Sequence, residues 1–249
     1  MTAGHPDAFP QTRHSVVRAI ASPDAATRAE AYAAIVRSYW RPVYAYIRIR
    51  WHRDPADAQD LTQEFFTRAL EKAYLARYDP SKARFRTFVR TCLDGFLSKD
   101  YEASRRQKRG GGTRIESLDF DRADADLAAH VRSEGDDPEA WFRREWTRSL
   151  FADAVERLRA ECDAAGRRDA FEAFVRYDID GADAPERPTY ATLARDLNTS
   201  VADVTNQLAW ARRTFRAGVL DAIRAFCASD DEFRAEARDL LGITVEERQ

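Results

Sequence analysis

The sequence predicts an all-α chain of two helical domains joined by an acidic linker, and three observations lead there. Only 10 Gly and 9 Pro interrupt 249 residues, and the long stretches between them are rich in Ala, Leu, Arg and Glu, all good helix formers. Apolar residues recur at three- and four-residue spacing over several long segments, the mark of amphipathic helices rather than strands. One polar, acidic and weakly periodic stretch, 113–137, separates two such regions and reads as a linker. The expected division is therefore a loose N-terminus (1–9), a first helical domain (10–112), the linker, a second helical domain (138–225) and a helical tail (226–249).

Net charge is only −2, which excludes a uniform polycation, but the charges are segregated. Arg84, Arg86, Arg90, Lys99, Arg105, Arg106, Lys108, Arg109 and Arg114 outnumber the acids around them, and the stretch from Ile115 to Trp146 is dominated by Asp and Glu. Adjacent blocks of opposite sign suggest separate electrostatic tasks. Cys92, Cys162 and Cys227 are distant from one another and lie in apolar helical patterns, so they read as reduced core residues. The four His form no ligand pair, so neither a metal nor a cofactor is expected. No apolar signal-like run and no stretch of 18 uncharged apolar residues occurs, and the expected location is the cytoplasm, with no membrane partner.

In chain order, a short helix is expected over Thr12–Ile20, and a second begins at Ser22-Pro23-Asp24. Tyr32, Ile35, Val36, Tyr39 and Trp40 give that helix a buried stripe, which Val43, Tyr44, Ile47 and Trp51 continue beyond a kink or restart at Pro42. Asp54-Pro55 starts the next helix, with Asp as N-cap and Pro at the first helical position. Ala58, Leu61, Phe65 and Ala69 share its core side, and Asp57, Asp60, Glu64 and Glu71 form an acidic ridge beside them. Such a ridge is either a solvated face or a docking surface for a basic partner. A metal-carboxylate site lacks a His or a second acidic helix.

Asp79-Pro80 marks a turn in the loop from Arg77 to Arg84. Phe85, Phe88, Val89, Cys92, Leu93 and Phe96 then define a helix whose other face carries Arg86, Arg90 and Lys99. It runs into Arg105-Arg106-Gln107-Lys108-Arg109 and a triple-glycine stop. A basic helix after a basic-aromatic loop suits nucleic acid, because cations meet phosphates and aromatic rings stack on unpaired bases. Past the linker, Asp137-Pro138 caps a long helix through Cys162, and Phe171, Phe174 and Val175 mark another, ended by a loop from Asp178 to Pro188.

Tyr190, Leu193, Ala194 and Leu197 form a further stripe, Asn198-Thr199-Ser200 a tight turn, and Val204, Leu208, Ala211 and Phe215 a second stripe. Two helices so joined have the shape of a helix-turn-helix. Ser200, Val201, Asp203, Thr205, Asn206 and Gln207 would face base edges, with Arg212, Arg213 and Arg216 left for phosphates. Ser200 and Asp203 also satisfy a capping box. Ser229-Asp230-Asp231 caps a last helix through Phe233 and Leu240.

The acidic Asp-x-x-Asp-Leu-x-Gln-Glu helix, the Arg84-Phe85-Arg86-Thr87-Phe88 helix and the distal helix-turn-helix, in this order, resemble bacterial sigma-70 family RNA polymerase sigma factors of the extracytoplasmic-function (ECF) type. Asp60-Leu61-Thr62-Gln63-Glu64-Phe65-Phe66 and Lys108-Arg109-Gly110-Gly111-Gly112 strengthen the likeness, which spans about Phe9 to Leu241. The resemblance implies a non-enzymatic factor with no catalytic residues, whose partners are promoter DNA and core RNA polymerase, through the largest-subunit clamp helices and the flap. It leaves room for an anti-sigma factor. Asp57, Asp60, Leu61, Gln63, Glu64 and Phe65 would bind core polymerase. Tyr78, Asp79, Ser81, Lys82, Arg84, Phe85, Arg86, Phe88, Lys99, Arg105, Arg106, Lys108 and Arg109 would serve −10 recognition and strand melting, and the helix-turn-helix would read the −35 element. The linker would thread the polymerase cleft, and the tail would cover the second domain or regulate. Phe88 stands where Trp is frequent, Gly95 interrupts the strand-holding helix, and Asp203-Val204-Thr205 replaces a more basic start. Two other functions fit parts of the pattern: a stand-alone helix-turn-helix regulator, and a metal enzyme built on Asp57, Asp60 and Glu64.

Overall fold

The computed structural model describes residues 15–104, 118–130 and 137–243. Every regular element among them is helical, so the all-α expectation holds. The chain divides into two compact units, one of residues 1–146 with 224–249 and the other of residues 147–223.

In the first unit α1 (Val16–Ala19) precedes α2 (Ala25–Arg50), where the Asp24 carboxylate accepts the Thr27 amide at 2.7 Å as the N-cap. Pro42 does not restart α2, which runs through it unbroken. The missing amide forfeits one bond to the Ser38 carbonyl, but every residue from Pro42 to Ile47 is buried, so packing outweighs the loss. The next helix, α3 (Pro55–Glu71), begins as its sequence dictates, with Asp54 accepting the Asp57 amide at 2.8 Å and Pro55 in the first turn. A 3-10 turn (Tyr74–Arg77) leads to the loop before α4 (Phe85–Ser104). Gly95 does not interrupt α4.

The core of this unit is aromatic. Tyr39 is fully buried, with the rings of Phe85, Trp146 and Phe226 at 5.7, 5.6 and 5.3 Å. Three other chain segments thus converge on one side chain. Each buried aromatic contributes on the order of 1.5–3 kcal/mol relative to exposure.

The stretch expected as linker contains α5 (Phe120–His130). Phe120, Ala123 and Leu127 supply a short buried stripe, and Phe120 meets the Trp40 and Tyr44 rings, both at 5.2 Å. Asp124 pairs with Arg48 at 2.8 Å and Asp126 with Arg41 at 2.6 Å, so part of the acidity neutralises bases on α2. The last helix of this unit, here α11 (Asp230–Leu241), starts on Ser229, which accepts the Glu232 amide, and ends at Gly242 with φ 65°.

Between these, α6 (Pro138–Ala164), α7 (Arg168–Phe174), α8 (Asp180–Asp183), α9 (Tyr190–Asp196) and α10 (Val201–Ala225) complete the chain. A π-helical turn, Val175–Ile179, joins α7 to α8, so helix persists where a loop was expected from Asp178. In the second unit Leu158 and Cys162 of α6, Phe174 of α7, Leu193 of α9 and Val204, Leu208 and Ala211 of α10 form one buried cluster. The three cysteines are free thiols. Cys162 and Cys227 are buried, and burial pushes the Cys92 thiol up to about 11.

Candidate nucleic-acid interface

The acidic ridge of α3 is accessible, but half of the polymerase-contact set expected around it is not. Asp57 and Asp60 are exposed. Glu64 is half-buried and pairs with Arg68 one turn on, as the spacing allows. Leu61, Gln63 and Phe65, expected among the polymerase-contacting residues, are 8%, 8% and 0% exposed. Thr62 and Phe66 are also buried, because α3 is covered over a wider arc than a single stripe. Of the six residues expected to contact polymerase, Asp57, Asp60 and the edge of Glu64 are accessible, and the buried Leu61, Gln63 and Phe65 hold that edge in place.

In the loop before α4 the Asp79 carboxylate accepts the Ser81 amide at 3.0 Å and its hydroxyl at 2.7 Å. Those bonds hold the Asp79 carboxyl below its ordinary value, the Ser81 side chain contributing most, and fix the turn. Lys82 is exposed and 3.4 Å from Asp79. The Tyr78 ring packs on Phe85 at 5.1 Å and Phe88 at 5.4 Å. Phe85 is 1% exposed, so it supports this surface from beneath and offers no ring to a base.

Two of the three bases expected on the open face of α4 are already engaged. Arg90 donates to Glu139 at 2.7 Å. Arg86 is 9% exposed and forks onto α11, reaching Glu236 at 2.9 Å and Asp239 at 2.5 Å. Arg84 meets Asp239 at 2.9 Å, and the Tyr78 hydroxyl lies 3.1 Å from Glu232. Burial pushes the Glu236 carboxyl up, with Arg86 opposing. For Asp239 burial is outweighed by Arg86 and Arg84, which hold its carboxyl below the ordinary range. Of the two roles expected for the tail, covering the second domain or regulating, the contacts favour the second: the carboxylates of α11 lie on the expected −10 residues of its own unit. The signal was its i, i+4, i+7 row of Glu232, Glu236 and Asp239. Lys99 is exposed, and Arg105, Arg106, Lys108 and Arg109 lie outside the described residues.

In the second unit α9 and α10 form the expected helical pair. Asn198 takes the left-handed conformation, φ 50°. The Asn198 and Thr199 amides reach back to the Arg195 and Ala194 carbonyls at 3.2 and 2.9 Å, a Schellman closure. The capping box forms: Ser200 Oγ accepts the Asp203 amide at 3.0 Å, and the Asp203 carboxylate accepts the Ser200 hydroxyl at 2.6 Å. Those bonds, the Ser200 hydroxyl foremost, hold the Asp203 carboxyl below its ordinary 3.8. Val201, Thr205 and Asn206 are exposed, and so are Arg213 and Arg216. Gln207 is half-buried, with its side-chain oxygen enclosed and unpartnered among the described residues.

Arg212 departs from the expected phosphate role. Its guanidinium grips Asp178 at 2.8 and 3.0 Å and lies 5.3 Å from the Tyr177 ring centroid. It ties the π-helical turn to α10. Beside it an apolar cavity of about 540 Å³ opens among Phe151, Val155, Phe174, Ile179 and Phe215.

No group of His, Cys, Asp or Glu among the described residues could hold a metal ion, and no described helix is long and apolar enough to cross a membrane. Residues 35–109 match the family model described as Sigma-70 region 2. That span holds most of α2, all of α3, the Tyr78–Arg84 loop and α4. The likeness is therefore to region 2 of sigma-70 factors, over less than half of the chain. No curated protein and no solved structure matches the chain significantly.

Proposed function

We propose, from the likeness of residues 35–109 to sigma-70 region 2, that this protein is an ECF-type sigma factor that directs core polymerase to a specific set of promoters. Asp57, Asp60 and the edge of Glu64 orient it on basic residues of the polymerase clamp helices, a contact that favours register and specificity over raw affinity. The loop from Tyr78 to Arg84 and the outer side of α4 hold the −10 strand once it is opened, a step that costs a few kcal/mol of stacking and must be repaid by the protein. The α9–α10 pair reads the −35 element through Val201, Thr205 and Asn206, with Arg213 and Arg216 on phosphates. The protein acts where the template is, in the bacterial cytoplasm, and the polymerase flap and an anti-sigma factor are further partners.

The observation that carries this reading is the region 2 match with Asp57 and Asp60 left exposed inside it. The alternative, a helix-turn-helix regulator working alone, gives those carboxylates no task. Co-elution with bacterial core polymerase on size exclusion tests the proposal. Wild type should migrate with the polymerase, and a folded Asp57→Arg, Asp60→Arg variant should not. Duplex binding without polymerase binding would favour the stand-alone regulator.

A further inference from the structure

The Tyr78, Arg84 and Arg86 surface is not open: the carboxylates of α11 occupy it. Glu232, Glu236 and Asp239 fall at i, i+4 and i+7 on one face, a row about 10 Å long, which is close to the axial length of three stacked nucleotides. Each carboxylate meets a group assigned above to the −10 strand: Glu232 the Tyr78 hydroxyl, Glu236 the Arg86 guanidinium, and Asp239 both Arg84 and Arg86. Guanidinium binds carboxylate and phosphate with the same forked geometry. A strand laid here therefore replaces one set of oxygens by another, and neither arginine is left bare.

The connection at the start of α11 suits such an exchange. Phe226 sits against Tyr39, Phe85 and Trp146, so the aromatic core keeps its plug when the segment beyond it moves. Cys227 to Ser229 are non-helical and separate that plug from α11. The apolar grip of α11 is slight for a twelve-residue helix: Phe233 and Ala237 are its buried apolar side chains. Beyond these and the half-buried Leu240 and Leu241 its hold is largely ionic, and a buried ion pair adds little net stability once desolvation is counted.

We propose that α11 is an internal competitor for the −10 strand, closing the Tyr78–Arg84–Arg86 surface in the free protein and leaving it when single-stranded DNA arrives. The proposal rests on assigning that surface to the −10 strand. Its test is fluorescence anisotropy of a labelled AT-rich single-stranded 12-mer on the full-length protein. The E232Q/E236Q/D239N variant keeps Phe233 in place, with circular dichroism and melting as the check of folding.

The expected gain in affinity is about tenfold, as when the open form is one molecule in ten, and R84A/R86A in the same background should abolish it. If the folded variant binds no tighter, while R84A/R86A weakens the otherwise wild-type protein, the competitor is overturned and the −10 assignment stands. If R84A/R86A changes binding in neither background, the −10 assignment fails and the competitor with it. Should the triple variant not fold, Cys227 serves as a native reporter, because it is buried beside Glu232 and Glu236. Saturating 12-mer should speed its alkylation by iodoacetamide several-fold, read by mass spectrometry, and an unchanged rate would overturn the proposal.

Discussion

Gly95 shows how little a helix needs from any one residue. It sits in mid-α4 with nothing within 4 Å of where a Cβ would stand, so its cost is backbone entropy alone. Gly95→Ala should stabilise the protein by about 1 kcal/mol and raise its melting temperature by about 2–4 °C. Tyr39 presents the opposite case: its ring anchors the core, but its hydroxyl is buried with no partner among the described residues. An enclosed hydroxyl without a partner costs about 1–3 kcal/mol, so Tyr39→Phe should leave urea stability unchanged or raised, and a large loss would reveal a hidden partner. At this scale the sequence was legible for apolar positions such as Ala58, Phe65, Phe85 and Leu93. It misled for Gln63, Arg86 and Arg212, because periodicity places a residue on a face without saying whether another element covers that face. Distant partners, Glu236 and Asp239 for Arg86 and Asp178 for Arg212, tether these arginines.

Elements were legible where their ends carry chemistry. Asp24, Asp54, Asp137, Ser200 and Ser229 open helices where the sequence suggested. By contrast α5 was hidden in acidic residues, its stripe of Phe120, Ala123 and Leu127 too short to outweigh the charge pattern. The start of α10 tests the cap directly: Ser200→Ala should cost about 1 kcal/mol. For Asp203 the folded carboxyl lies below its ordinary 3.8, so its contribution is full above that value and is lost as pH falls through the lower folded one. The stability gap between wild type and Asp203→Ala should therefore be present at pH 7 and vanish in strong acid, as urea titrations at several pH values would reveal. Along the same helix, Arg213→Ala and Arg216→Ala should each lower the log–log salt slope of duplex binding by about 0.9. Arg212→Ala should leave that slope unchanged, since its guanidinium is committed to Asp178. Equal losses from all three would mean that Arg212 leaves Asp178 on binding DNA.

For the whole molecule, charge segregation read from the sequence was correct in kind and incomplete in consequence. The acidic segments do not simply face away from the basic ones: Asp124 and Asp126 pair with α2, Glu139 with Arg90, and Glu236 and Asp239 with Arg84 and Arg86. Long-range pairings of this sort leave no periodic trace, which is why the surface around Arg84 and Arg86 reads as open from sequence alone. The central claim is that this protein gives core polymerase a promoter choice. Its most direct test is transcription of the source organism's genomic DNA by its own core polymerase, with and without the protein, followed by sequencing of transcript 5′ ends. The expected result is a discrete set of new start sites sharing one −10 and one −35 sequence, lost with the Asp57→Arg, Asp60→Arg variant. An unchanged pattern of 5′ ends, with protein that is folded and binds DNA, would contradict it.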